Sequence, residues 1–139
     1  MRKNNFFPHK RIVLSVIFIV SLLPMLLNQY GGMKGVHEIT GLINLFNPIG
    51  ALAAIVYFIG VWASFKNAFI NKLLCISGTI GIVVSEIYKF FNWHVLTITG
   101  EVSFKNAVRF AFPEFYFGLA VSSLMVFAYI ILDKKLKEK

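Results

Sequence analysis

Two runs without a charged residue, 12–33 and 39–65, constrain this chain more than any other feature. Each is at least as long as the roughly 20 helical residues needed to cross about 30 Å of hydrocarbon. In water, runs like these would need cover on every side, and the remaining chain is too apolar to give it. Hydrophobic residues make up 58% of the 139 and charged residues 14%, where soluble domains have about 45–50% and about a quarter. The balance argues against a soluble globular fold and for a small, single-domain integral membrane protein.

Hydropathy along the chain predicts an all-α fold, an antiparallel bundle of four transmembrane helices near 12–30, 49–65, 73–93 and 115–132. The third carries Glu86 and Lys89 late in its run, and the fourth is at the short end of the range. Pro24 lies inside the first run, where a proline kinks a helix. Aromatic residues gather near the predicted helix ends (Tyr30, Trp62, Phe65, Phe90, Phe91, Trp93 and Phe115, besides Phe6 and Phe7 at the start), and their position suggests interfacial belts.

The charge balance, 14 Lys and Arg against six Asp and Glu, gives +8. No aromatic and basic interleaving marks a nucleic-acid surface. The basic residues crowd the two ends (Arg2, Lys3, Lys10 and Arg11; Lys134, Lys135, Lys137 and Lys139), with Lys66 and Lys72 between the second and third spans. The positive-inside rule then puts both termini and the 66–72 connection on the cytoplasmic side of the cell membrane. A cleaved signal peptide is the rival reading of the first run, but Asn28-Gln29-Tyr30 lacks the small-residue cleavage pattern. The single cysteine, Cys75, excludes an intramolecular disulfide and a Cys-x-x-Cys pair.

The opposite connections hold structure of their own. Phe104, Ala107, Val108 and Ala111 recur at helical spacing, with Lys105, Asn106 and Arg109 on the other face. This predicts a short amphipathic helix on the outer interface, with Ser103 as N-cap and Pro113 at its end. Val36, Ile39, Leu42, Ile43 and Phe46 make a weaker version in the first loop, and Asn47-Pro48 reads as an N-cap with a first-turn proline. The triplets Ile39-Thr40-Gly41 and Ile98-Thr99-Gly100 suggest a faint internal repeat.

Glu86 is the most informative single residue. An ionised carboxylate in hydrocarbon is costly, and Lys89, three positions later, is the partner that helix spacing offers. Ser77, Gly81 and Ser85 form a small-residue stripe beside it, of the kind that lets helices approach closely, within the bundle or toward a partner. Gly50 and Ala54, Gly60 and Ser64, and Gly118 and Ser122 repeat the spacing. His37, Glu38, His94, Glu101 and Glu114 lie on the outer side without compact metal-ligand spacing, so no metal or cofactor is expected.

The sequence carries no nucleophile elbow, His-Glu-x-x-His pair or glycine-rich phosphate loop. The expectation is a non-catalytic membrane protein acting by association with a larger membrane complex, as accessory, assembly or protective factor. The alternatives are a subunit of an oligomeric channel or carrier with a polar site at Glu86 and Lys89, and a membrane-embedded enzyme on lipid or quinone. Expected partners are the lipid bilayer and either a membrane protein or a second copy of the chain.

Overall fold

The computed structural model describes residues 8–31, 37–63 and 65–135. Arg2, Lys3, Phe6, Phe7, Lys34, Val36, Ser64, Lys137 and Lys139 lie outside the described residues. Helix α1 spans Pro8–Leu22 and tightens into a 3₁₀ turn at Leu23–Leu26, where Pro24 stands. Pro24 brings no N–H to the α-helical ladder, and the change of helix type occurs at this proline. Strand β1 (Asn28–Tyr30) pairs antiparallel with β2 (Ile39–Thr40). Short α2 (Leu42–Phe46) leads into α3 (Pro48–Trp62), then α4 (Ala68–Asn92), a π-helical turn (Val95–Thr99), α5 (Phe104–Phe110) and α6 (Pro113–Lys135).

Three stretches are helical, long and apolar enough to cross a membrane: His9–Leu26, Ala68–Asn92 and Pro113–Lys135. The second expected span is a shorter apolar helix, α3, of 15 residues. Its length is set at one end by Asn47, whose side chain accepts from the Ile49 and Gly50 amides, with Pro48 in the first turn. At the other end Ala63 turns extended. The first span stops at Leu26 rather than Tyr30, because Asn28 to Tyr30 are drawn into a strand. The expected 66–72 connection is shorter too: Asn67 caps α4 by accepting from the Phe69 amide, so the helix starts at Ala68.

The helices pack in a closed ring, with α3 on α4, α4 on α6, α6 on α1 and α1 on α3. The α3–α4 contact is close because Gly60 and Gly78 have no side chain. A Cβ on Gly78 would stand 2.6 Å from Tyr57 Cβ and 2.8 Å from the Ala53 carbonyl; one on Gly60 would stand 2.8 Å from the Cys75 nitrogen. Helix α1 is held to α3 by the Tyr57 hydroxyl donating to the Leu14 carbonyl (2.9 Å), by Trp62 Nε1 donating to Ser15 Oγ (3.0 Å) and by Phe18 stacked on Tyr57 at 3.9 Å.

Outward faces are apolar. Ile12, Val16, Ile19, Val20 and Leu23 are exposed on the α1 side, as are Leu73, Ile80, Val84 and Ile87 on α4 and Leu124, Phe127 and Ile131 on α6. Polar Gln29, Asn44, Thr79, Ser85, Glu86 and Ser122 are buried. An apolar exterior around polar interior groups is the arrangement for lipid rather than water as solvent, and the chain is a membrane protein.

The aromatic residues near the helix ends are not all belt residues. Tyr30, Phe90, Trp93 and Phe115 form a buried cluster with Ala107 and Phe110, and the Phe90 and Phe115 rings stack at 4.9 Å. Trp62, Phe65, Tyr116 and Phe117 are exposed. The two Ile-Thr-Gly triplets adopt unlike conformations, one entering β2 and the N-cap of α2, the other closing the π-helical turn at Gly100, whose φ is 71°. They are not structural equivalents.

Candidate functional site

Inside the bundle, near the β1–β2 end, polar side chains from five elements meet. Pairing with β2 turns β1 inward, so that Gln29 and Tyr30 are fully buried. The Tyr30 hydroxyl donates to Asn44 Oδ1 (2.9 Å), Asn44 Nδ2 donates to Gln29 Oε1 (2.8 Å), and Gln29 Nε2 donates to the Pro24 carbonyl (3.1 Å). Burial, the largest effect, together with the Glu86 charge holds the Tyr30 phenol well above its ordinary pKa, against the lowering effect of the Asn44 bond, so it stays a donor.

A second branch joins α2, α3 and α4. Asn47 Nδ2 donates to the Asn44 carbonyl (2.7 Å) and to Ser85 Oγ (2.6 Å), and Ser85 Oγ donates to the Asn44 carbonyl. With Oδ1 capping α3, the Asn47 amide is fully used. Buried amides in lipid must be satisfied from within the protein, and here they satisfy one another.

Glu86 lies roughly 27 Å along α4. It is fully buried. Ser122 Oγ on α6 donates to its Oε1 at 3.2 Å, while Oε2 is buried without a hydrogen-bond partner. Gly118 lies beside Glu86 and makes room for Gln29: a Cβ there would stand 2.7 Å from Gln29 Nε2 but in ordinary contact, at 3.6 Å, with Glu86 Oε1. Gln29 thus fills the gap left by the glycine, with Glu86 next to it.

Lys89 is not within ion-pair distance of Glu86. A close ion pair forms elsewhere, between Lys10 and Asp133 at 2.8 Å. Glu86 faces α6, while Lys89 sits half-buried in the last turn of α4, where the helix dipole favours a cation. The small-residue stripe also divides. Ser85 bonds Asn44 and Asn47, Gly81 approaches Ala53, and Ser77 is exposed on the outward face. Gly78, one position on, is the residue buried against α3.

Lys105 and Arg109 are exposed on α5, which forms where its periodicity placed it. Ser103 holds the N-cap position with no side-chain cap bond, and of the expected apolar face only Ala107 is buried, with Phe110 beside it, while Phe104 and Val108 are exposed. Pro113 opens α6, with Glu114 in its first turn. The histidines and carboxylates expected on the outer side go to separate tasks: Asn28 Nδ2 donates to Glu38 (2.5 Å), and His94 Nδ1 meets Thr99 Oγ1 at 2.8 Å. No group of three His, Cys, Asp or Glu converges among the described residues.

Gln29 and Asn44 are the functional-site residues that sequence reading missed. For Asn44 the signal was an amide isolated in an apolar context, Leu42-Ile43-Asn44-Leu45-Phe46; Gln29, between Asn28 and Tyr30, had none. Compared with protein-family models, with curated proteins and with solved structures, the chain matches none.

Proposed function

We propose that this chain crosses the cell membrane four times, with both termini and the 63–67 connection cytoplasmic. It acts without catalysis, by associating with a larger membrane complex as an accessory, assembly or protective subunit. The start of α1, the end of α3, the start of α4 and the end of α6 line one small cavity, at Lys10, Gly60, Ala68 and Asp133, which supports four alternating crossings. Lys10, Arg11, Lys66, Lys72, Lys134 and Lys135 belong to that end and support its cytoplasmic placement.

The observation that carries association is the outward face of α3. Ala54, Ile55, Phe58, Ile59, Trp62 and Ala63 line a shallow apolar concavity of about 490 Å³. A helix of 15 residues spans roughly 22 Å, less than the hydrocarbon thickness, and helix association is one way a short segment relieves that mismatch. A partner's apolar helix seated there would cover the concavity. A photoreactive residue at Ile55 or Ile59, irradiated in cells, tests this. Crosslinks to a second membrane protein are the expected result, and crosslinks to lipid alone would overturn it.

One observation favours a second reading, a subunit of an oligomeric channel or carrier: the unpartnered Glu86 Oε2 in the bundle interior. Purified protein in liposomes, assayed for ion or proton flux with Glu86→Gln as control, separates the two.

A further inference from the structure

Helix α5 has more apolar surface than its own packing uses. Ala107 and Phe110 are buried in the aromatic cluster, while Phe104 and Val108, one turn apart, are 68% and 44% exposed. The Phe104 ring lies 6.4 Å from Phe90 and 6.3 Å from Phe91 at the end of α4. There the exposed Ile87 and Tyr88 continue the lipid-facing side of that helix. The exposed apolar pair of α5 is therefore an extension of the surface that meets hydrocarbon.

Lys105 and Arg109 are both exposed and also one turn apart, each the next residue after Phe104 and Val108. At 100° per residue the basic pair occupies the face adjoining the apolar pair. Neither side chain forms an ion pair among the described residues; Arg109 has the Phe110 ring 5.6 Å from its guanidinium carbon. The backbone fixes this geometry. The Gly31 amide donates to the Phe110 carbonyl (3.0 Å) and the Phe112 amide donates to the Gln29 carbonyl (2.8 Å), which ties the end of α5 to the buried strand.

We propose that α5 is an interfacial foot that holds the phosphate of an anionic phospholipid, with Phe104 and Val108 among the acyl chains and Lys105 and Arg109 on the headgroup. Hydrocarbon at the level of Phe104 sets the adjoining cations at headgroup depth, where a phosphodiester is the complementary charge. Guanidinium suits it because two parallel N–H donors match two phosphate oxygens. The inference stands on the membrane fold and is independent of the protein partner.

The test uses the full chain in detergent, with phosphatidylglycerol or phosphatidylcholine of identical acyl chains, and counts bound lipid by native mass spectrometry. Wild type should retain phosphatidylglycerol over phosphatidylcholine. Lys105→Gln with Arg109→Gln should weaken phosphatidylglycerol on the order of tenfold, to the level of the neutral lipid, with melting unchanged. Each single substitution should give a smaller loss, which keeps the test readable if the double variant folds poorly. Equal retention of the two lipids by wild type, an unaffected double variant, or displacement of the lipid by inorganic phosphate would each overturn the proposal.

Discussion

The Ser122 hydroxyl donates to Glu86 Oε1 at 3.2 Å, and this bond from α6 to α4 is the hydrogen bond seen at that buried carboxyl group. Removing Ser122 leaves the carboxyl group without it, a cost of about 1–3 kcal/mol. Ser122→Ala should therefore lower the stability of the protein in detergent, while Lys89→Leu should change it little. A double-mutant cycle between Glu86 and Ser122 should give a coupling of about 1 kcal/mol, and one between Glu86 and Lys89 a coupling near zero. A large Glu86–Lys89 coupling would restore the helix-spacing pair.

Close packing between α3 and α4 should depend on Gly78 far more than on Ser77. An added Cβ at Gly78 meets the Tyr57 nitrogen at 2.7 Å and the Ala53 carbonyl at 2.8 Å, both backbone atoms that cannot rotate aside. Gly78→Ala should cost about 1–3 kcal/mol. Ser77→Leu, on the outward face, should stay within about 0.5 kcal/mol of wild type. Thermal unfolding of the two variants in one detergent compares them directly.

Acidification should weaken the end of the bundle that holds His94. The Thr99 hydroxyl has one proton and donates it to the Glu101 carbonyl at 3.0 Å, so His94 Nδ1 carries the hydrogen toward Thr99. Nε2 is then an acceptor, buried without a partner, and burial lowers the pKa of the ring below its ordinary 6.5. Between the folded and unfolded values the unfolded chain binds the proton and the folded chain does not, so stability rises with pH there. The contribution is complete above about 6.5 and falls as pH drops below it, levelling under the folded value. Melting temperature against pH should be steeper for wild type than for His94→Gln; parallel curves would exclude His94 as the cause.

The pair of Lys10 with Asp133 should behave as a buried pair, since its side chains are 7% and 6% exposed. Lys10→Leu or Asp133→Leu alone should cost about 3–5 kcal/mol, whereas both together should recover much of the loss. Folded yield and melting of the three variants measure this.

Local signals made part of this architecture legible. Asn47-Pro48 announced the start of α3, and the spacing of Phe104, Ala107 and Val108 announced α5. Which face of α4 points inward was not legible. In water a helix betrays its buried side by polar residues opposite, but a lipid-facing side is as apolar as a packed one, so Ser77 and Gly78 could not be ranked. The partner of Glu86 was illegible for another reason: Ser122 lies 36 positions away, and only the packing of α6 on α4 brings it near. Gln29 was hidden because pairing with a two-residue strand, unremarkable by sequence, turns β1 inward, and Asn44 because it sits on a five-residue helix too short to show a periodicity.

The contact between Lys10 and Asp133 spans 123 positions, from the first turn of α1 to the last turn of α6. A ribosome releases these residues in order, so α1 is complete long before Asp133 is made. The packing of α6 on α1 closes the ring, so Lys10 and Asp133 can meet only once α6 has been made, and their pairing joins the first described helix to the last.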